Sequence, residues 1–262
     1  MNNIKPQSLL IQLDFVRLPL WRQGCHDVLL QRLEQARHWL SVSELERLSA
    51  GPMPWVAQQQ LASRILLRAI LASRTGLSPQ ALQFSYGDKG KPALVNHPGL
   101  QFNLSHSGHW LLLASCDSDH MQLGADIERL RPKTDIDSIM RHYFAGAELA
   151  QLQALGSDDR RQAFFDLWAL KESFIKATGL GLAQDLRSFG FELDKRTSMT
   201  RADFPELESC LAPYGELDGA EWQSWLGRLD DEYRFALTLH KEGVGECCWQ
   251  RHFSELADWL PG

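Results

Sequence analysis

No stretch of the chain is long and apolar enough to span a bilayer: the densest run, Trp110–Ala114, is only a fraction of the ~20 residues a crossing needs. Met1–Val16 lacks the apolar core of a secretory signal, which predicts a cytoplasmic protein. Cysteine is scarce, with five in 262 residues (Cys25, Cys116, Cys210, Cys247, Cys248). The number is odd, no spacing suits a metal, and adjacent Cys247 and Cys248 are poorly placed for an ordinary disulfide. A reducing compartment fits that usage. Three signatures are missing altogether: the G-x-x-x-x-G-K-[ST] phosphate loop, the G-x-G-x-x-G dinucleotide fingerprint and the G-x-S-x-G nucleophile elbow. Surplus positive charge is missing too. Lys plus Arg number 27 against 33 Asp plus Glu, a net charge of -6 that gives no pull toward nucleic acid or an anionic membrane.

What is present, 44% apolar and 23% charged residues, is the composition of a globular protein large enough for one big domain or two modest ones. Residues 1–120 carry 11 basic and 8 acidic side chains, whereas 121–262 carry 16 and 25. A basic front half against an acidic rear half could hold a phosphorylated ligand and a divalent cation between them. Apolar spacing predicts a strand in "SLLIQLDFV", a helix around 24–40, a break at 51–55 and a secure helix from Trp55 to Gly76. A strand–turn–strand follows in "LQFSYGDKGKPAL", then two strands meeting near Ser105–His109, and a strand at "MQLGADIERL". Helices are expected in "DIDSIMRHYF", "GAELAQLQAL" and "DDRRQAFFDLWALKESFIKATGLG", and strands in "LRSFGFELD" and on either side of a turn at Gly227–Asp231. Residues 200–221 read as a surface insertion. The domain division expected is 1–120, 121–245 and a tail, 246–262, with the character of a short docking helix.

Three clusters carry chemistry. In "GADIE", Asp126 and Glu128 are two apart on a strand, so their carboxylates project from one face while Ile127 enters the core. Such like charges repel, and an oxygen-ligated cation such as Mg²⁺ removes that cost. A solvated strand edge is the plain alternative. In "WALKESFIKATG", Glu172 precedes Lys176 by four residues, which is either a surface ion pair or an acid facing a metal with a lysine reaching a phosphate. The third cluster is Lys91, on a turn set by Gly90 and Pro92, with His106 in "NLSHSGH"; both could meet phosphate oxygens.

Taken in order, "GKPAL", "FNLSHSG", "GADIE", "FAGAE" and "WALKESFIKATGLGL" resemble the 4'-phosphopantetheinyl transferases, most closely the larger type that activates peptide and polyketide synthases. The resemblance covers roughly residues 60–195. It implies an α/β (α+β) fold of two similar half-domains in a pseudo-twofold pair, with coenzyme A between them. It also implies Mg²⁺ and transfer of the phosphopantetheine arm to a serine of an apo acyl or peptidyl carrier protein, releasing 3',5'-ADP. On that resemblance Asp126, Glu128 and Glu172 are metal ligands, and Glu172 and Lys176 are catalytic. Lys91, His106, Arg64, Arg68 and Lys176 contact coenzyme A, although some members place the phosphate-binding arginine nearer Gln59. Trp168, Glu148, Gly179 and Gly181 read as structural.

A Mg²⁺-dependent nucleotide hydrolase and a non-catalytic coenzyme A binder remain as alternatives at this point. Carrier helices are acidic in the resembling systems, so Arg129, Arg131, Lys133 and Arg141 are candidate carrier contacts. A monomer without nucleic-acid or membrane partners is the simplest expectation.

Overall fold

Residues 8–21, 26–48, 53–119, 121–215, 221–240 and 246–262 are described by the structure, a computed structural model. Position 120, where the charge balance changes, lies outside them, as do Cys25 and the Gly51–Pro52 break. In chain order the first half runs β1 (Leu9–Arg17), α1 (Asp27–Ala36), α2 (Val42–Arg47), α3 (Pro54–Thr75), β2 (Phe84–Tyr86), β3 (Pro92–Leu94), β4 (Leu100–Ser107) and β5 (Trp110–Asp117). The second continues β6 (Leu123–Arg129), α4 (Ile136–Tyr143), α5 (Gly146–Gln153), α6 (Ser157–Thr178), β7 (Phe189–Gly190) and β8 (Thr197–Ser198). It is completed by β9 (Leu207–Leu211), β10 (Tyr214–Gly215), β11 (Trp222–Arg228), β12 (Tyr233–His240) and finally β13 (Cys247–Glu255).

Strand alternation sets the layers. In β1, Ile11, Leu13 and Phe15 point one way and Asp14 and Val16 the other, because successive side chains leave opposite faces. Val16, Leu111 and Leu113 pack under α1 and α3. Ile11, Leu13, Phe15, Leu112 and Ala114 meet Ala125, Ile127, Phe235 and Leu237 of the second sheet. The opposite face of that sheet, with Trp222, Leu226 and Ala236, is covered by α6. Two sheets therefore lie between two outer helical layers, and each sheet is apolar on both sides.

The sheets are ordered β13-β1-β5-β4 and β6-β12-β11-β9-β8. The two sheets repeat one pattern: β1 pairs antiparallel with β5 and β5 with β4, just as β6 pairs with β12 and β12 with β11, while β13 adds to the free edge of β1. Helices α3 and α6 both end on a glycine with left-handed φ, Gly76 at 70° and Gly179 at 73°. This is the pseudo-twofold pair of half-folds.

Three local expectations change. The tail is mostly strand: Trp249 and Arg251 alternate with exposed Cys248, Gln250 and His252, and β13 lies parallel to β1 with Cys247 opposite Leu9. Only Leu256–Trp259 is a short helical turn, with Leu256 and Leu260 buried against the first half's core. Within "LRSFGFELD" only Phe189–Gly190 is strand. Residues 200–221 are not wholly insertion, since β9 belongs to the second sheet and Phe204 and Leu207 are buried between the sheets.

Candidate functional site

The halves meet where β4 runs beside β6, and polar side chains take the place of a backbone ladder. Asn103, Ser105 and Ser107 alternate along β4, so all three leave the same face. Asn103 Oδ1 accepts from the Ala125 N–H at 3.0 Å, and Ser107 Oγ accepts from the Arg129 N–H at 3.1 Å. Ser105 Oγ donates to Asp126 Oδ1 at 2.8 Å and Ser107 Oγ to Glu128 Oε2 at 3.1 Å. The seam thereby fixes the two acids of "GADIE". Sequence reading missed these serines, although the N-x-S-x-S alternation within "FNLSHSG" was the available signal.

Opposite them stands α6. Its close approach depends on Gly124, where an added Cβ would lie 1.9 Å from Ser173 O and 2.4 Å from Ala177 N. One turn of helix then carries Glu172 and Lys176 to the same place. Lys176 Nζ donates to Asp126 Oδ1 at 2.6 Å and to Ser105 Oγ at 2.9 Å. Asp126 is buried, 3% exposed, and its second oxygen, Oδ2, has no hydrogen-bond partner. Such an orphaned carboxylate oxygen is costly unless something fills its coordination.

Burial raises the other two acids, and the Asp126 charge adds to it. Burial, and then the Asp126 charge, pushes the Glu128 carboxyl up to about 7. Glu172 is raised by burial and by Asp126, with Lys176 opposing. Glu128 and Glu172 are each in electrostatic contact with Asp126, with Lys176 and, at Glu128, Arg131 as the opposing cations. The oxygen-only donor set and the orphaned Oδ2 suit a hard divalent cation. As the side chains stand, no group of three His, Cys, Asp or Glu among the described residues is placed to ligate an ion.

Helix α6 is held from behind. Lys171, adjacent to Glu172, is fully buried and donates to Glu148 Oε2 at 2.7 Å and to Phe189 O at 2.8 Å. Glu148 also accepts from the Ala145 and Phe191 N–H groups, so it is satisfied on several sides. Trp168 stacks with Phe144 and Phe164, as a structural anchor should.

The remaining candidates scatter. His106 lies on β4 and not in the turn; desolvation and then Lys176 lower its pKa, while Asp126 opposes them. Arg64 is half-buried on α3. Arg68, expected at coenzyme A, is instead a core residue at 2% exposure. Its guanidinium is spent on Glu44 at 2.5 Å and on the Pro79 and Leu82 carbonyls at 2.6 and 3.1 Å, with Phe84 beneath it. Lys91, expected at a phosphate, donates to Leu123 O at 3.0 Å and Ala177 O at 2.9 Å. Arg129 pairs with Glu232 at 2.8 Å and lies over Tyr233. Arg131, Lys133 and Arg141 are exposed, and Arg131 reaches Ser107 Oγ at 3.4 Å.

Comparison with known proteins bears on the family. Residues 122–238 match the profile of the 4'-phosphopantetheinyl transferase superfamily, and residues 27–118 match that of the 4'-phosphopantetheinyl transferase N-terminal region. A 4'-phosphopantetheinyl transferase of Bacillus subtilis is 39% identical over 52% of this chain, and the matched stretch spans 59% of that relative. HetI, a 4'-phosphopantetheinyl transferase of Nostoc sp., is 35% identical over 69% of this chain and 75% of its own length. The mouse L-aminoadipate-semialdehyde dehydrogenase-phosphopantetheinyl transferase is 27% identical over 84% of this chain and 74% of its own. Two matched regions, and HetI at 35% identity over more than two thirds of both chains, place this chain in the 4'-phosphopantetheinyl transferase family.

Proposed function

We propose that this chain transfers the 4'-phosphopantetheine arm of coenzyme A to a serine hydroxyl of an apo acyl or peptidyl carrier protein, releasing 3',5'-ADP. The observation that carries the reading is the centre at the seam: Asp126 bound by Lys176 and Ser105, with Glu128 and Glu172 in electrostatic contact. In the reaction the serine oxygen bonds to the β-phosphorus and the bond from that phosphorus to the oxygen bridging it to the nucleotide part breaks. Negative charge grows on the departing phosphate, and preorganised positive charge is what lowers such a barrier.

Asp126, Glu128 and Glu172 are the residues to hold Mg²⁺, which when bound neutralises and orients a diphosphate. Lys176, anchored by Asp126 and Ser105, sits at the centre as a fixed ammonium for the departing phosphate. Glu172 has a raised pKa and is the candidate to receive the serine proton when it is not committed to an ion. His106 and Arg64 are the proposed coenzyme A contacts in the first half. Exposed Arg131, Lys133 and Arg141 are the proposed rim for an acidic carrier helix; Arg129, engaged by Glu232, is the weakest member of that set. Cys116, Cys210 and Cys248 are free thiols, which supports a reducing, cytoplasmic setting. No helix among the described residues is long and apolar enough to cross a membrane. The proposal takes the protein as a monomer.

The test is intact-mass analysis of apo carrier proteins incubated with the protein, coenzyme A and Mg²⁺. One added phosphopantetheine per carrier is expected, and none with D126A. Release of 3',5'-ADP without any carrier would make the protein a hydrolase; coenzyme A binding with no turnover would make it a binder.

A further inference from the structure

Lys91 belongs to the first half, yet its ammonium ends in the second. The β2–β3 turn fixes its backbone: Gly87 N–H donates to Lys91 O at 2.9 Å and Gly90 adopts φ 84°. From there the side chain crosses to Leu123 O, at the start of the strand that carries Asp126 and Glu128, and to Ala177 O, the residue after Lys176. These are the two segments that converge on the reaction centre. Ala177 O also lies in the last turn of α6, where helix carbonyls lack intrahelical partners and favour a cation. At the next residue of β6, Gly124 lets the strand backbone approach Ser173 and Ala177 of α6 closely. The lysine stem lines one wall of a cavity of about 480 Å³, between Tyr86, Phe102 and Thr178.

We infer that Lys91 is a positioning residue, a clasp that holds β6 against α6 from the opposite half-domain and so sets the spacing of Asp126 and Glu128 relative to Glu172 and Lys176, and not a ligand of the coenzyme phosphates. An ammonium committed to two carbonyls has one N–H left, and burial has lowered its pKa to about 8, as expected of a group withdrawn from solvent. This rests on the transferase reading for its catalytic consequence, but the clasp itself is testable without turnover.

The experiment compares the full chain with K91M and K91R. Amide hydrogen exchange is followed over residues 123–129 and 173–178, and 3',5'-ADP binding is measured by calorimetry. For K91M the expected result is at least fivefold faster exchange in both segments, with the 3',5'-ADP Kd changed by less than threefold. In turnover, kcat falls at least tenfold with KM for coenzyme A within threefold, and K91R, which can still donate to both carbonyls, recovers most of kcat. A 3',5'-ADP affinity weakened threefold or more, or unchanged exchange in either segment, overturns the clasp. If the unsubstituted protein modifies no carrier, the transferase reading fails while the exchange and binding results still judge Lys91. Should K91M not fold, reductive methylation of the unsubstituted protein decides. Lys91 is expected to be protected relative to exposed Lys89 with or without 3',5'-ADP, and protection only when nucleotide is present overturns the inference.

Discussion

Replacing Glu128 by glutamine should stabilise the metal-free protein while disabling it. Burial and Asp126 raise the Glu128 carboxyl from 4.5 to about 7, so its ionisation is penalised in the folded state. At 1.36 kcal/mol per pKa unit the penalty has an upper bound of about 3 kcal/mol, and solvent screening of a half-buried group reduces it to about 2. The sign follows from linkage: between pH 4.5 and about 7 the folded state binds more protons than the unfolded one, so wild-type stability falls as pH rises through that window. Below pH 4.5 the penalty is absent, and above pH 7 it is complete. E128Q removes it and keeps an oxygen to accept from Ser107 Oγ. In protein stripped with a chelator, E128Q should therefore melt about 4–8 °C above wild type at pH 8, taking ~2–4 °C per kcal/mol for a chain this size, with the difference vanishing near pH 4.5. Scanning calorimetry at four pH values measures it. Excess Mg²⁺ at pH 8 should raise the melting temperature of wild type more than that of E128Q. A variant no more stable than wild type at pH 8, or a difference that does not depend on pH, would refute the reasoning.

Other substitutions separate architecture from chemistry. Gly124→Ala forces a methyl against Ser173 O and should cost about 1–3 kcal/mol by denaturant titration and lower kcat more than tenfold, because α6 carries Glu172 and Lys176 away from Asp126. Arg68→Met leaves buried Glu44 unpaired and should destabilise by about 3–5 kcal/mol while the folded protein binds 3',5'-ADP within twofold of wild type. A larger loss of affinity would return Arg68 to the coenzyme. Lys171→Met strands Glu148 in the core, with a similar loss expected in urea melts; an unchanged midpoint would remove the pair from the supports of α6. Glu172→Gln at saturating Mg²⁺ should flatten the acidic limb of the pH–rate profile if Glu172 takes the serine proton; an unchanged limb leaves it a metal ligand only.

Local pattern was enough wherever the answer lay within one element. A D-x-E pair on a strand, a Glu and Lys four apart on a helix ended by glycine, and the apolar stripe of α3 all took the form that their spacing predicts. What failed depended on partners distant in sequence. Arg64 and Arg68 share a helix one turn apart, and nothing local says that Glu44 and two carbonyls after Pro79 will capture the second. Lys91 on its glycine turn looked like a free point charge because the carbonyls that receive it belong to the other half-domain. The tail misled for a similar reason: its half-polar alternation became a strand only because β1 offered it an edge.

That edge has a cost during synthesis. Gln12 and Gln250 touch across 238 positions, so the first sheet cannot be finished until almost every other element exists. Until then the flank of β1 is an open row of amides and carbonyls able to recruit any passing strand, and long-range pairing of this kind is slow. A polypeptide ending near residue 120 should on this account clump when expressed alone, and supplying the missing strand as a separate peptide should keep it in solution.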